Sequence, residues 1–235
     1  IVFDSQLSSD FRLGLIVAPN HTSGSLVKIR PSTATPGGYI GVSDCVFNTN
    51  APVGGGDVFG GKPGAGIGVR LDASIGSIEH NRFYFREPIA CETGVWLAAG
   101  DINNNAFRCR FVHINNNAIV VDSGSFNHIE AFVLAGGVVG TAYGAKINAG
   151  HHNTLDLIFN GDYAAGLSLV FGPNAYANNV FAFNLPVDGI TNNATVASNR
   201  IVSTKIIGFD VTTPAFPASN TYVENRTSYT VVAAI

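Results

Sequence analysis

The chain has 235 residues, 46% of them hydrophobic and 12% charged, with a formal net charge of −3. That is ample material for one or two packed domains. The 13 Lys and Arg are scattered and no apolar run approaches the ~18 residues of a membrane span, so neither nucleic acid nor a bilayer is an expected partner.

The chain opens on Ile1–Leu15 (IVFDSQLSSDFRLGL), which is expected to be an N-terminal cap or the tail of a preceding domain, within residues 1–37. A start at Ile1 and the absence of Met fit a processed or excised chain, and no signal-peptide pattern is seen. Val42–Phe47 (VSDCVF) reads as a short alternating strand. The Gly-rich run that follows, NAPVGGGDVFGGKPGA, reads as a surface loop. Within it GDVFGGKP (Gly56–Pro63) falls one residue short of the phosphate-binding GxxxxGK[ST]. Pro63 stands where a hydroxyl must reach Mg²⁺, and no strand–loop–helix surrounds it, so no nucleotide or other cofactor is expected.

From here the chain repeats. An Asn is followed by apolar residues at its second and fourth neighbours at Asn81, Asn105, Asn127, Asn153, Asn178 and, more weakly, Asn199. The steps are 24, 22, 26, 25 and 21 residues. A second column of small residues runs in phase: Gly68, Gly94, Ala118, Gly144, Gly166 and Gly189, each preceding a strand-like run. Two columns sharing a step of about 24 residues mark one solenoid turn, and the leucine-rich frame with its helical half is absent. Short strands between Gly and Asn bends predict an all-β, right-handed, single-stranded parallel β-helix of six to seven coils of 21–26 residues, with three short strands per coil. Asn at the corners is expected to accept left-handed backbone and to stack as an amide ladder. The two triplets in DINNNAFRCRFVHINNNAIVVDSG then read as two corners of one coil.

Repeats such as NNNAFRCRFVHINNNAIVVDSG and SFNHIEAFVLAGGVVGTAYGAKINAG resemble coils of the right-handed parallel β-helix class, which includes pectate-lyase-like enzymes and phage tailspike, appendage and depolymerase proteins. The resemblance covers about Gly38–Phe209, giving a helix over 38–209 and a C-terminal cap or subunit-exchanged strands over 210–235. It implies a homotrimer on a virion surface or outside the cell, contacting other virion proteins and a cell-surface polysaccharide. Three functions remain open on it: an attachment component recognising a host glycan, a polysaccharide lyase or glycoside hydrolase, and a structural fibre without ligand.

Strand alternation picks out the outward positions where such functions reside. One outward column reads Tyr84, Arg108, Glu130, Asp156, Phe181 and Val202, and the one before it Arg82, Ala106, His128, Thr154, Asn179 and Arg200. Glu130 and Asp156 on adjacent coils are expected ~5 Å apart, which suits acid–base work on a glycosidic bond, with Arg108 and His128 balancing charge. Tyr84, Thr154, Phe181 and Trp96 are the candidate sugar contacts. A solvated β face carries similar charge mixtures without any function. Trp96, in an outward column read as Arg70, Trp96, Val120, Lys146 and Ser168, is expected either to form an apolar patch covered by a loop or a neighbouring subunit or to be a singly exposed ring.

The remaining signals are weaker. Cys45 and Cys109 fall on inward columns as small buried hydrophobes, and Cys91 falls in a loop. An odd count of three makes a disulfide framework unexpected. His151 and His152 alternate away from Asp156, so no metal site is expected. Asn20, Asn193 and Asn225 head glycosylation sequons, which matter only in a eukaryotic secretory setting.

Overall fold

Short alternating segments that cannot close as hairpins bury their apolar side by stacking on the next coil, and every strand pairing among the described residues is parallel. The computed structural model describes residues 1–17, 24–33, 38, 40–53, 66–86, 89–135, 143–160, 168–185, 189–196 and 198–204. These belong to one unit, Ile1–Lys205; the expected cap at 210–235 and the GDVFGGKP segment lie outside the described residues. The strands are β1 (Val2–Phe3), β2 (Asp10–Val17), β3 (Ser25–Ile29), β4 (Gly41–Ser43), β5 (Val46–Val53), β6 (Ile67–Glu79), β7 (Arg82–Phe85) and β8 (Ile89–Asn103). They continue with β9 (Ala106–Val121), β10 (His128–Ala135), β11 (Tyr143–His151), β12 (Thr154–Asn160), β13 (Leu169–Tyr176), β14 (Asn179–Phe183), β15 (Ile190–Asn192) and β16 (Arg200–Thr204). Together they form a parallel β-solenoid of about six turns, with no helix among the described residues.

Two faces matter for function. The first stacks β2, β5, β7, the start of β9, β10, β12, β14 and β16. Its leading inward column reads Phe11, Phe47, Phe83, Phe107, Ile129, Leu155, Val180 and Ile201. The four phenylalanines stack with centroids 4.9, 5.0 and 4.7 Å apart and planes 20° from parallel, an offset geometry that adds to their burial. The second face stacks β1, β3, β6, β8, the end of β9, β11, β13 and β15. The ladder therefore begins at Val2, upstream of the Gly38 at which the repeat first becomes readable.

The asparagine column is a closed hydrogen-bond system. Each Oδ1 from Asn105 to Asn199 accepts both the backbone N–H and the side-chain Nδ2 of the Asn one coil back, at 3.0–3.1 Å. Each Nδ2 also donates to a main-chain carbonyl, as Asn127 does to Ile102 at 2.7 Å. Buried amides satisfied in this way stabilise the corner that an aliphatic residue would leave with orphaned N–H groups. The left-handed residue is not the ladder Asn but the one before it: His80, Asn104, Phe126, His152 and Ala177 have φ between 52° and 57°. The first triplet thus divides its labour. Asn103 accepts from Ser125, Asn104 supplies the left-handed turn and Asn105 joins the ladder.

The structure corrects several details. The second triplet, Asn115–Asn117, lies where the pairing of β9 passes from β10 at Ile114 to β11 at Asn117, so this corner is a bend inside an unbroken strand rather than a break between two, with Asn117 Nδ2 donating to Thr93 at 3.3 Å. Coils are not built of three separate short strands, because β6, β8 and β9 bend and serve two faces each. At the Gly100 bend a Cβ would lie 1.8 Å from the Ala73 carbonyl oxygen, so the close approach and the φ of +78° admit only glycine. Cys91 is buried in β8, not in a loop. The second-face column passes through Val170 rather than Ser168, since Lys146 pairs with Val170 and Val170 in turn with Thr191. Gly166 lies outside the described residues; Ser168 stands in register with Gly144, its carbonyl accepting from Ala145 at 2.9 Å.

Candidate functional site

The first face sets its outward side chains in register. Tyr84, Arg108, Glu130, Asp156, Phe181 and Val202 form one row across β7, β9, β10, β12, β14 and β16. Arg82, Ala106, His128, Thr154, Asn179 and Arg200 form the row beside it. Both rows match the expected ones residue for residue. Below them the inward residues Phe107, Ile129, Leu155 and Val180 close the core, which fixes the height of the outward ones.

The charged groups pair locally. Arg108 holds Glu130 with two hydrogen bonds, Nε to Oε2 at 3.0 Å and an Nη to Oε1 at 3.2 Å, the forked geometry that guanidinium and carboxylate favour. His128 Nε2 lies 2.6 Å from Asp156 Oδ2. Adjacent in register, Glu130 and Asp156 are thus each engaged by a different partner rather than by one another. The Arg108 and Glu130 side chains are 65% and 49% exposed, so the pair adds at most about 1 kcal/mol to stability. Its effect is to hold donors and acceptors in a fixed array facing solvent.

An open groove of about 750 Å³ lies on this face, walled by Arg108, Glu130 and Asp156 on one side and Phe181 and Val202 further along. A shallower one of about 190 Å³ adjoins it, where Ala106 leaves a dent among Arg82, Tyr84 and His128. Tyr84 and Phe181, 39% and 44% exposed, flank the charged centre. Thr154 is the register partner of His128. Sequence reasoning missed the next outward column, Phe132, Ile158 and Phe183, which lines the same groove; one further step of the same alternation reaches it.

Trp96 is not part of this assembly. It lies on the second face, half-buried, with the Arg70 guanidinium 4.6 Å over its ring and its Nε1 donating to Asp122 at 2.7 Å. Val120 beside it is only 8% exposed, so it is covered within the chain itself and no open apolar patch forms around Trp96. His151 and His152 meet each other through their Nδ1 atoms at 2.9 Å and stack on Tyr176 and Phe126, while Asp156 is taken by His128. Burial pushes the Cys109 thiol up to about 12 and the Cys45 thiol upward as well, which removes both as nucleophiles near neutral pH.

No family model matches the chain, and neither curated proteins nor solved structures give a match.

Proposed function

We propose that the first face binds a host cell-surface glycan, and that the chain serves as a virion attachment component of the tailspike, tail-fibre or appendage kind, outside the cell. One observation carries this reading: an open groove in which in-register, pre-paired polar groups lie between exposed aromatic rings. A sugar ring presents C–H faces that pack on Tyr84 or Phe181 and hydroxyls that meet fixed carboxylate and guanidinium atoms. A preformed cleft of this size is of the order that takes small ligands, roughly 300–1,000 Å³. The virion setting and the trimer rest on the resemblance of the repeats alone.

A second reading, a polysaccharide lyase or glycoside hydrolase, is favoured by the adjacency of Glu130 and Asp156 on neighbouring coils. It requires Glu130 to leave Arg108 when substrate arrives. One experiment separates the two. Immobilised bacterial surface polysaccharides are incubated with wild type, Arg108→Ala, Phe181→Ala and Glu130→Gln, and both retention and released oligosaccharide are measured. Glycan binding predicts retention by wild type, at least about tenfold weaker for the first two variants, with no release by any. Release by wild type that disappears in Glu130→Gln selects the enzyme. Absence of retention on every polysaccharide rejects the glycan reading.

A further inference from the structure

Building on the glycan-binding reading of this groove, we infer that its ligand carries apolar substituents, 6-deoxy methyl groups or O-acyl groups, that lodge against Ile158 and Phe181. The outward row changes character along the solenoid. Arg108, Glu130 and Asp156 occupy three consecutive coils, and Phe181 and Val202 the next two. Two residues further along the strands, the parallel row Phe132, Ile158 and Phe183 is apolar throughout. The groove is therefore amphiphilic, charged at one edge and apolar across the rest.

These apolar residues are not spare core. The inward residues beneath them, Ala131, Leu157 and Ala182, are already 2–3% exposed, so Ile158 and Phe181 are not needed to close the core. Ile158 stands 42% and Phe181 44% exposed. A fully hydroxylated sugar laid here would press hydroxyls on Ile158 and Phe183, whose own side chains offer no hydrogen-bond partner, and unpaired polar groups are costly to desolvate. A methyl or acyl group in the same place gains from burial. A protein partner fits less well. Five apolar side chains bounded directly by ion pairs are far fewer than the roughly 20–30 residues a side of an ordinary protein interface.

The test uses matched probes on the intact chain. Bacterial surface polysaccharides are immobilised before and after mild-alkaline removal of O-acyl groups, and oligosaccharides ending in D-rhamnose are compared with those ending in D-mannose. Wild type should hold the substituted member more tightly, by about fourfold for each methyl buried. Ile158→Ser should erase the difference while weakening the unsubstituted member little, whereas Phe181→Ser should weaken both members; unchanged far-UV circular dichroism and melting temperature show that both fold. Equal binding of both members by wild type overturns the inference and leaves the glycan reading standing. Failure to bind any carbohydrate removes both. Self-association by light scattering that disappears in Phe181→Ser overturns the inference in favour of a second copy on this face.

Discussion

The two faces obey the same alternation yet use their outward side chains in opposite ways. On the first, Arg108 and Glu130 pair with each other, as do His128 and Asp156, and all four stand in solvent. On the second, partners interlock across coils. Asp72, 6% exposed, meets Lys28 at 3.3 Å and Arg70 at 3.1 Å. Arg70 covers Trp96, Trp96 donates to Asp122, and the other oxygen of Asp122 accepts from Asn148 at 2.6 Å. Val120 and Val170, in the same outward row, are 8% and 7% exposed. Outward thus means away from the coil's own core, not into water. A polar row that is covered and cross-linked is part of the scaffold; one that is open, paired and flanked by bare aromatic rings is available to a ligand.

The largest effect is expected where the faces join. Asn127 sits at the corner between the second-face end of β9 and the first-face strand β10. Its Oδ1 accepts from Asn105 N and Nδ2, and its Nδ2 donates to Ile102 O and Asn153 Oδ1. Asn127→Ala strands several buried groups at once and should cost about 3–6 kcal/mol at roughly 1–3 kcal/mol each. Urea unfolding followed by circular dichroism and by Trp96 fluorescence should shift together, since both faces lose the same corner. A loss below about 1 kcal/mol would mean the ladder is ornamental.

The faces should then separate under paired substitutions. Asp72→Ala leaves the half-buried Lys28 and Arg70 without their buried partner and should cost about 2–4 kcal/mol. Glu130→Ala removes an exposed partner and should cost under about 1 kcal/mol. Equal losses in urea unfolding would contradict the contrast.

Acid should sharpen the same division. Burial raises the Asp4 carboxyl, but hydrogen bonds from the hydroxyls and amides of Ser32 and Thr33 outweigh it and hold the group at about 2, against an ordinary 3.8. Burial likewise opposes ionisation of Asp72, and contacts from Ser74, Lys28 and Arg70 win, lowering it. Asp4 directly follows β1 and Asp72 lies in β6, both second-face strands. Folded values below unfolded ones mean that the stabilisation is complete above the unfolded value and disappears as pH falls through the folded one. Melting temperature should therefore fall between about pH 4 and pH 2. Asp4→Asn should flatten that decline, and an unchanged slope would remove Asp4 from the account.

The repeat made the coil legible because burial imposes period 2 along a strand and stacking imposes the ~24-residue step between strands. Both rows of the candidate site followed from those two periods. What escaped were features set by the third dimension. Ser168, which is not a glycine, stands in register with Gly144, and only the pairing shows it. The left-handed corner fell on Phe126 and Ala177, residues with no preference for it, because the ladder fixes the next residue and the chain must turn before it. The burial of Trp96 and Val120 depends on what surrounds the coil rather than on the coil's own period.

The smallest effect tests the division of labour most directly. Trp96→Phe keeps an aromatic face beneath Arg70 but removes the N–H that reaches Asp122. Asp122 retains its bond from Asn148, so the loss should be about 1 kcal/mol, the ordinary value of one hydrogen bond. Phe181→Ala, on the exposed row, should leave stability within about 0.5 kcal/mol, as surface substitutions do. In the polysaccharide retention assay the order should invert, with Trp96→Phe behaving as wild type and Phe181→Ala weakened. Because Trp96 is the only tryptophan, stability of that variant is read by circular dichroism rather than fluorescence. If Trp96→Phe weakened retention as much as Phe181→Ala, the second face would belong to the ligand too, and exposure would no longer separate scaffold from site.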